Sequence, residues 1–245
     1  PFAFLKFIET CDFCLETALA ALWMPSASAA VYLSPCAAAI DNEGGLLFIA
    51  EATGNAIVAL NPASGEIKGT FPLPGSPSGV ALAPGAKSLY VTIGEPDGAV
   101  CLLDPKTGAV TDTLRVGHTP MAPVVSPAGN KLYVCNEYNN SVSIIDLESK
   151  KETARVSVQR APVAAAILPD GAKLFVANLL PAGPADGDYA SAAVSVLDTN
   201  TQQVTQQIAL PNGSSGVHGI CVSPDGKFVY AVHILARYQL PTTQL

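Results

Sequence analysis

Apolar residues in this chain come in runs of about five, such as "LLFIA", "IVAL", "LYVTI", "VCLL", "LYVCN" and "VSII". Each run is closed by a cluster of Pro, Gly, Asp or Asn, the residues that supply turn conformations. The stretch from 79 to 116 predicts four strands, 79–83, 88–93, 99–103 and 110–116, divided by "PGAK", "GEPDG" and "DPKTG". The first three are apolar throughout, as strands covered on both faces should be. The fourth, "AVTDTLRV", alternates like a strand with one face in water.

The pattern repeats. The aromatics Phe48, Tyr90, Tyr133, Phe175 and Tyr230 lie 42, 43, 42 and 55 residues apart, and the longest interval holds the inserted "LLPAGPADGDYA" after Asn178. Asn61, Asp104, Asp146 and Asp198, each after an apolar run, keep the same beat. So do the turns "APGAKS", "SPAGNK", "LPDGAK" and "SPDGKF" ahead of the aromatics. Four short strands per unit of about forty residues is the signature of a β-propeller blade. A β-solenoid has shorter coils, and an α-solenoid needs a helical period. The fold class expected is all-β, a β-propeller of four-stranded blades.

The phrases "KLYVCNEYNNSVSIIDLESKKETARVSV" and "KLFVAN" resemble the YVTN-type β-propeller repeat over residues 35–235. That resemblance implies a seven-bladed ring in the complete protein. Four blades are counted here, at 35–76, 77–119, 120–161 and 162–215, with the first hairpin of a fifth at 216–245. The ring is therefore expected to be incomplete and the chain a fragment. Proteins with such repeats include secreted and cell-surface ones, and their relatives include lactonases and the propeller of nitrous oxide reductase. The resemblance thus implies a binding or interaction scaffold, with a lactonase-like hydrolase, or a propeller module of a c-type-haem redox protein, as alternatives.

Composition narrows the partners. The 245 residues are 49% hydrophobic and 13% charged, enough to bury a large core. The formal charge of −7 and the absence of any Lys/Arg cluster argue against nucleic acid as partner. Residues 1–30 differ from the rest. Lys6, an Ala/Leu-rich stretch from Leu15 to Met24 and the small residues of "PSASAA" read as a signal-peptide-like segment, which predicts a secreted, periplasmic or cell-surface location. No apolar run reaches the ~20 residues of a membrane-spanning helix. The partner expected is a protein, glycan or small molecule, and no cofactor is expected. The six cysteines, at 11, 14, 36, 101, 135 and 221, form neither a dense disulfide framework nor paired zinc motifs, and "CDFC" lacks the strand–helix context of a redox site.

Chemistry is best sought where one copy departs from the others. Pairing the first two strands around the "SPDGK" turn sets residues whose numbers sum to 451 opposite each other, which pairs His218 with His233. The same register pairs Cys36 with Glu51, Ser78 with Ile93, Met121 with Asn136 and Val163 with Asn178. Directly opposed residues bring Cβ atoms to about 5 Å, so two imidazoles at one blade end would share a water, an anionic ligand or a metal ion. His118, in the link "VGHTP" into the third blade, falls on the same face, the one carrying blade links and second-to-third-strand loops. Arg237 follows His233 and has the geometry to hold a carboxylate or phosphate. The ligand-binding candidates are His218, His233, Arg237 and His118. No nucleophile–base set and no closed metal-ligand set is apparent. Asp41, Asp170 and Asp225 read as turn caps, and Asn136 and Asn178 as ties to loop backbone.

Overall fold

A computed structural model of the chain describes residues 33–41, 43–94, 97–183 and 190–235, without the side chain of Leu235. The signal-peptide-like segment, "CDFC" and Arg237 lie outside the described residues.

Four antiparallel four-stranded sheets follow one another in chain order. The first holds β1 (Pro35–Asp41), β2 (Leu46–Glu51), β3 (Ala56–Leu60) and β4 (Ile67–Pro72); the second holds β5 (Pro77–Leu82), β6 (Leu89–Ile93), β7 (Ala99–Leu103) and β8 (Val110–Arg115). The third is β9 (Pro120–Val125), β10 (Lys131–Asn136), β11 (Ser141–Asp146) and β12 (Lys151–Ser157). The fourth is β13 (Pro162–Ile167), β14 (Lys173–Asn178), β15 (Ala193–Asp198) and β16 (Gln203–Ala209), and a hairpin of β17 (Ser214–Val222) and β18 (Val229–Leu235) follows. Within each sheet, strands sit in sequence order. First strands of successive sheets touch, β1 with β5, β5 with β9, β9 with β13 and β13 with β17, so the first strand of each sheet is innermost.

The cores lie between sheets. Phe48, Ala50 and Ile57 of the first sheet pack with Val80, Leu89 and Val91 of the second, whose Tyr90, Val100 and Leu102 turn the other way onto Leu132, Val134 and Ile145 of the third. Tyr133, Cys135 and Ile144 continue onto Leu174, Val176 and Leu197. Successive residues of a strand point to opposite faces, so burying both faces requires the uninterrupted apolar runs seen in the sequence. This stack of four-stranded blades is a β-propeller architecture. The outer strands β8 and β12 alternate exposed and covered residues, as their sequences predict. On β18 the marker aromatic Tyr230 is 57% exposed and Val232 69%, whereas Phe48, Tyr90 and Tyr133 are 1%, 6% and 1% exposed. Among the described residues, no sheet covers that face.

The in-phase polar markers are turn caps between third and fourth strands. Oδ1 of Asn61, Asp104 and Asp198 each accepts two backbone N–H groups from the residues two and three positions on, and Oδ1 of Asp146 accepts from Ser149 N–H. Those bonds hold the carboxyls of Asp104 and Asp198 below the ordinary range, and the Ser149 hydroxyl and amide do so for Asp146.

Candidate functional site

Each innermost strand is entered through a short link, and three of the entries carry backbone strain. Ser34, Thr119 and Ala161 adopt left-handed φ values of 51°, 50° and 54° directly before Pro35, Pro120 and Pro162. A side-chain-bearing residue is disfavoured there, and a following proline restricts it further. Each is held by an amide beyond the end of its blade's second strand: Ala52 N–H donates to Ser34 O at 3.0 Å, Glu137 to Thr119 O at 3.1 Å and Leu179 to Ala161 O at 2.8 Å. Strain over-determined in this way collects at functional sites.

The entry geometry overturns the uniform register expected from sequence. Glu51 pairs with Pro35 and Ala50 with Ala37, leaving Cys36 as a β-bulge; Ser78 and Val163 are bulged likewise. In the third sheet Asn136 faces Pro120 rather than Met121. In the hairpin, Ser215 faces Ile234 and Gly219 faces Val232, so Gly216, Val217 and His218 together oppose His233. His218 and His233 are therefore not a directly opposed pair. Proline has no N–H for the ladder, so pairing slips one residue beside it; in the hairpin Gly216, with φ of 58°, lengthens the bulge. The bulged side chains reach the next blade instead. The Cys36 thiol donates to Pro77 O at 3.3 Å, and the Ser78 hydroxyl donates to Pro120 O.

Both histidines border the long bulge. His218 is exposed, and its Nε2 lies 3.2 Å from where a Cβ on Gly216 would be. His233 Nδ1 is buried with no hydrogen-bond partner. His118 sits in the third-blade link with Nδ1 2.7 Å from Thr119 Oγ1 and its ring edge-on to Tyr138 at 5.1 Å. Its backbone N–H donates to Asn139 Oδ1 at 2.6 Å. Among the described residues, no group of three or more His, Cys, Asp or Glu is placed to hold a metal ion.

The links and bulges of the first three blades enclose a recess of about 700 Å³, lined by Cys36, Gly75, Ser76, Ser78, Thr119 and Met121 among others. Thr119 brings His118 to its edge. Burial raises the pKa of the Cys36 thiol. A smaller hollow of about 470 Å³ lies at the turns between Asp41, Glu43, Lys87 and Lys106, with the left-handed Ala86 (φ of 50°) on its wall. The larger size of the linking-face recess makes it the better candidate.

Asn136 ties the third blade to its link: its Oδ1 accepts Gly117 N–H at 2.9 Å, and its Nδ2 donates to Ser141 and Ser143 Oγ at 3.2 and 2.9 Å. A Cβ on Gly117 would lie 2.5 Å from Asn136 Cγ, so the tie needs glycine. In the fourth blade the equivalent positions are Asn178 and Gln159. Asn178 Nδ2 donates to Val176 O, Ala193 O and Ser195 Oγ, but its Oδ1 has no partner. A side chain at 159 keeps the link from approaching as glycine does at 117. Sequence reading missed Gln159 and Ser214 as candidates, although the change from Gly117 to Gln159 in one repeat position was the available signal.

No family profile and no curated protein matches the chain. Among solved structures it is similar to Kuenenia stuttgartiensis hydrazine synthase, with a TM-score of 0.78 and 21% identity over 90% of this chain and 61% of that one. This chain therefore spans about 61% of the length of the chain it matches. At that identity the likeness carries the propeller fold and no chemistry.

Proposed function

We propose that this protein is an exported binding scaffold whose ligand face is formed by the blade links and second-to-third-strand loops. The propeller-like fold suggests a scaffold or binding role. The observation that carries the finer reading is the 700 Å³ recess on that face, with the left-handed Thr119 on its wall. His118 stands at its edge through Thr119, and His218 and His233 border the bulge of the last hairpin; with Arg237 they are the proposed contacts of the face. Export rests on the composition of residues 1–30. The partner class is a protein, glycan or small molecule.

Gly75 lines the recess, and nothing lies within 4 Å of where its Cβ would be, so Gly75→Trp fills the recess without displacing backbone. The test screens wild type and this variant against a glycan array, a peptide library and sugar lactones. Binding that weakens about tenfold or more in Gly75→Trp, about 1.4 kcal/mol, supports the scaffold reading; binding indifferent to it overturns the recess as the site.

One observation favours a hydrolase of the lactonase-like kind as a second reading. The Thr119 hydroxyl on the recess wall is 2.7 Å from an imidazole nitrogen, a nucleophile–base spacing. Lactone turnover by wild type that disappears in His118→Ala supports this reading; its absence in wild type leaves the scaffold.

A further inference from the structure

Between the first and second sheets, at the strand ends away from the blade links, lies a cavity of about 210 Å³. Phe48, Ala59 and Phe71 form its apolar wall, and Asp41, Lys68 and Lys106 also line it. The equivalent place between the second and third sheets is filled. Ala59 lies between Phe48 and Gly69 in its sheet, whereas the corresponding Leu102 lies between Tyr90 and Asp112. Gly108, four residues after the turn cap Asp104, corresponds to Lys150, four after Asp146. Leu102 packs with Tyr90, Leu132 and Leu147, and Lys150 Nζ donates to Asp112 Oδ2 at 2.7 Å. In the third sheet Ile144, fully buried, again takes the place of Ala59. Ala59, Gly69 and Gly108 therefore withdraw the three side chains that close the next gap. The Phe71 ring lies over both glycines, where a Cβ on either would collide with it.

Size and charge limit the occupant. An apolar protein cavity of about 150 Å³ admits benzene, so this one has room for a single ring with a short substituent. Two phenylalanine rings on its wall favour an aromatic guest. The polar part of the lining is net positive. Lys106 has no ion pair among the described residues, and Lys68 meets only Glu66 in an exposed pair at 2.7 Å, which is weak. The one carboxylate, Asp41, already accepts the amides of Glu43 and Gly44 at Oδ1. An ammonium ligand would face two like charges there, whereas an anion is attracted. We propose that this cavity binds a small aromatic carboxylate, its ring against Phe48 and Phe71 and its carboxylate on Lys106 and Lys68. The hollow at the turns shares Asp41 and Lys106 with the cavity and is its mouth. The site lies at the opposite strand ends from the linking-face recess and does not depend on it.

The test is an NMR titration with phenylacetate, 2-phenylethanol, 2-phenylethylamine and acetate. It uses wild type, Ala59→Leu, Lys106→Gln and Gly75→Trp, each checked for native near-ultraviolet circular dichroism. Ala59→Leu fills the cavity with the residue found in the second blade, and Lys106→Gln alters only an exposed side chain. The expected result is saturable binding of phenylacetate by wild type and by Gly75→Trp. That binding weakens at least about tenfold in Ala59→Leu and about fivefold in Lys106→Gln. The neutral alcohol binds more weakly than the acid, and the amine and acetate do not saturate. If Ala59→Leu loses the native spectrum, the Lys106→Gln titration decides alone. No saturable phenylacetate binding in wild type overturns the site. Binding that survives Ala59→Leu, or that is lost in Gly75→Trp, places the ligand elsewhere and overturns it too. Equal binding of the acid and the alcohol, or no loss in Lys106→Gln, overturns the carboxylate assignment.

Discussion

Asn136→Ala and Asn178→Ala delete the same buried side chain from the same place in two successive blades, so the hole they leave is equivalent. The hydrogen bonds are not. Removing Asn136 leaves the buried Gly117 N–H without its 2.9 Å acceptor and takes two donors from Ser141 and Ser143. An orphaned buried donor costs about 1–3 kcal/mol and each lost hydroxyl bond about 0.5–1 kcal/mol, for a total near 3–4 kcal/mol. Removing Asn178 strips donors from Val176 O, Ala193 O and Ser195 Oγ, but it also removes an Oδ1 already buried without a partner. That relief of about 1–2 kcal/mol brings the net hydrogen-bond loss to about 1 kcal/mol. Urea unfolding of the two variants should therefore differ by about 2 kcal/mol, with Asn136→Ala the weaker protein. Equal losses, or a larger loss at Asn178, would refute the claim that only the third blade uses its asparagine to hold the link.

Other consequences are checked as simply. The lowered carboxyls of Asp104, Asp146 and Asp198 mean that folding gains from their ionised form above the usual carboxylate range and loses that gain as pH falls through it. The urea midpoint should drop between neutral pH and pH ~3, and the drop should shrink in a triple Asp→Asn variant, because Asn61 already makes the same turn in the first blade; an unchanged drop contradicts this. Gly98→Ala would put a Cβ 1.9 Å from Gly117 O, so it should destabilise by about 2–4 kcal/mol or prevent folding; a urea midpoint within error of wild type contradicts that packing. Native-state alkylation mapped by mass spectrometry should label Cys36 and Cys221 and spare Cys101 and Cys135, since burial holds the Cys135 thiol at a pKa of about 12. Prompt labelling of Cys135 contradicts its place between the third and fourth sheets.

The blade plan was legible in the sequence because its causes are local and repeated. Turn residues at fixed offsets and apolar runs covered on both faces mark where β6, β7 and β8 lie, and only β5 differs, starting at Pro77 where φ is already extended. The pairing at the rim was not legible. Whether Cys36 or Pro35 faces Glu51 depends on a bulge set by the left-handed Ser34 and by the next blade's carbonyl, contacts made over 41 residues of chain. The same blindness set His218 opposite His233. It also hid Asn178 Oδ1, whose freedom follows from bulk at Gln159 rather than from any motif at 178.

The central claim is that departures between repeats, rather than the repeats themselves, open the linking face. Amide hydrogen exchange of Gly117 and Gln159 in the unaltered protein tests it most directly, because the two amides hold equivalent places in the repeat and an asparagine oxygen meets the one at Gly117 but not the one at Gln159. Strong protection at Gly117 with fast exchange at Gln159 is the predicted result. Matching protection at both would mean that the fourth blade is tied as the third is.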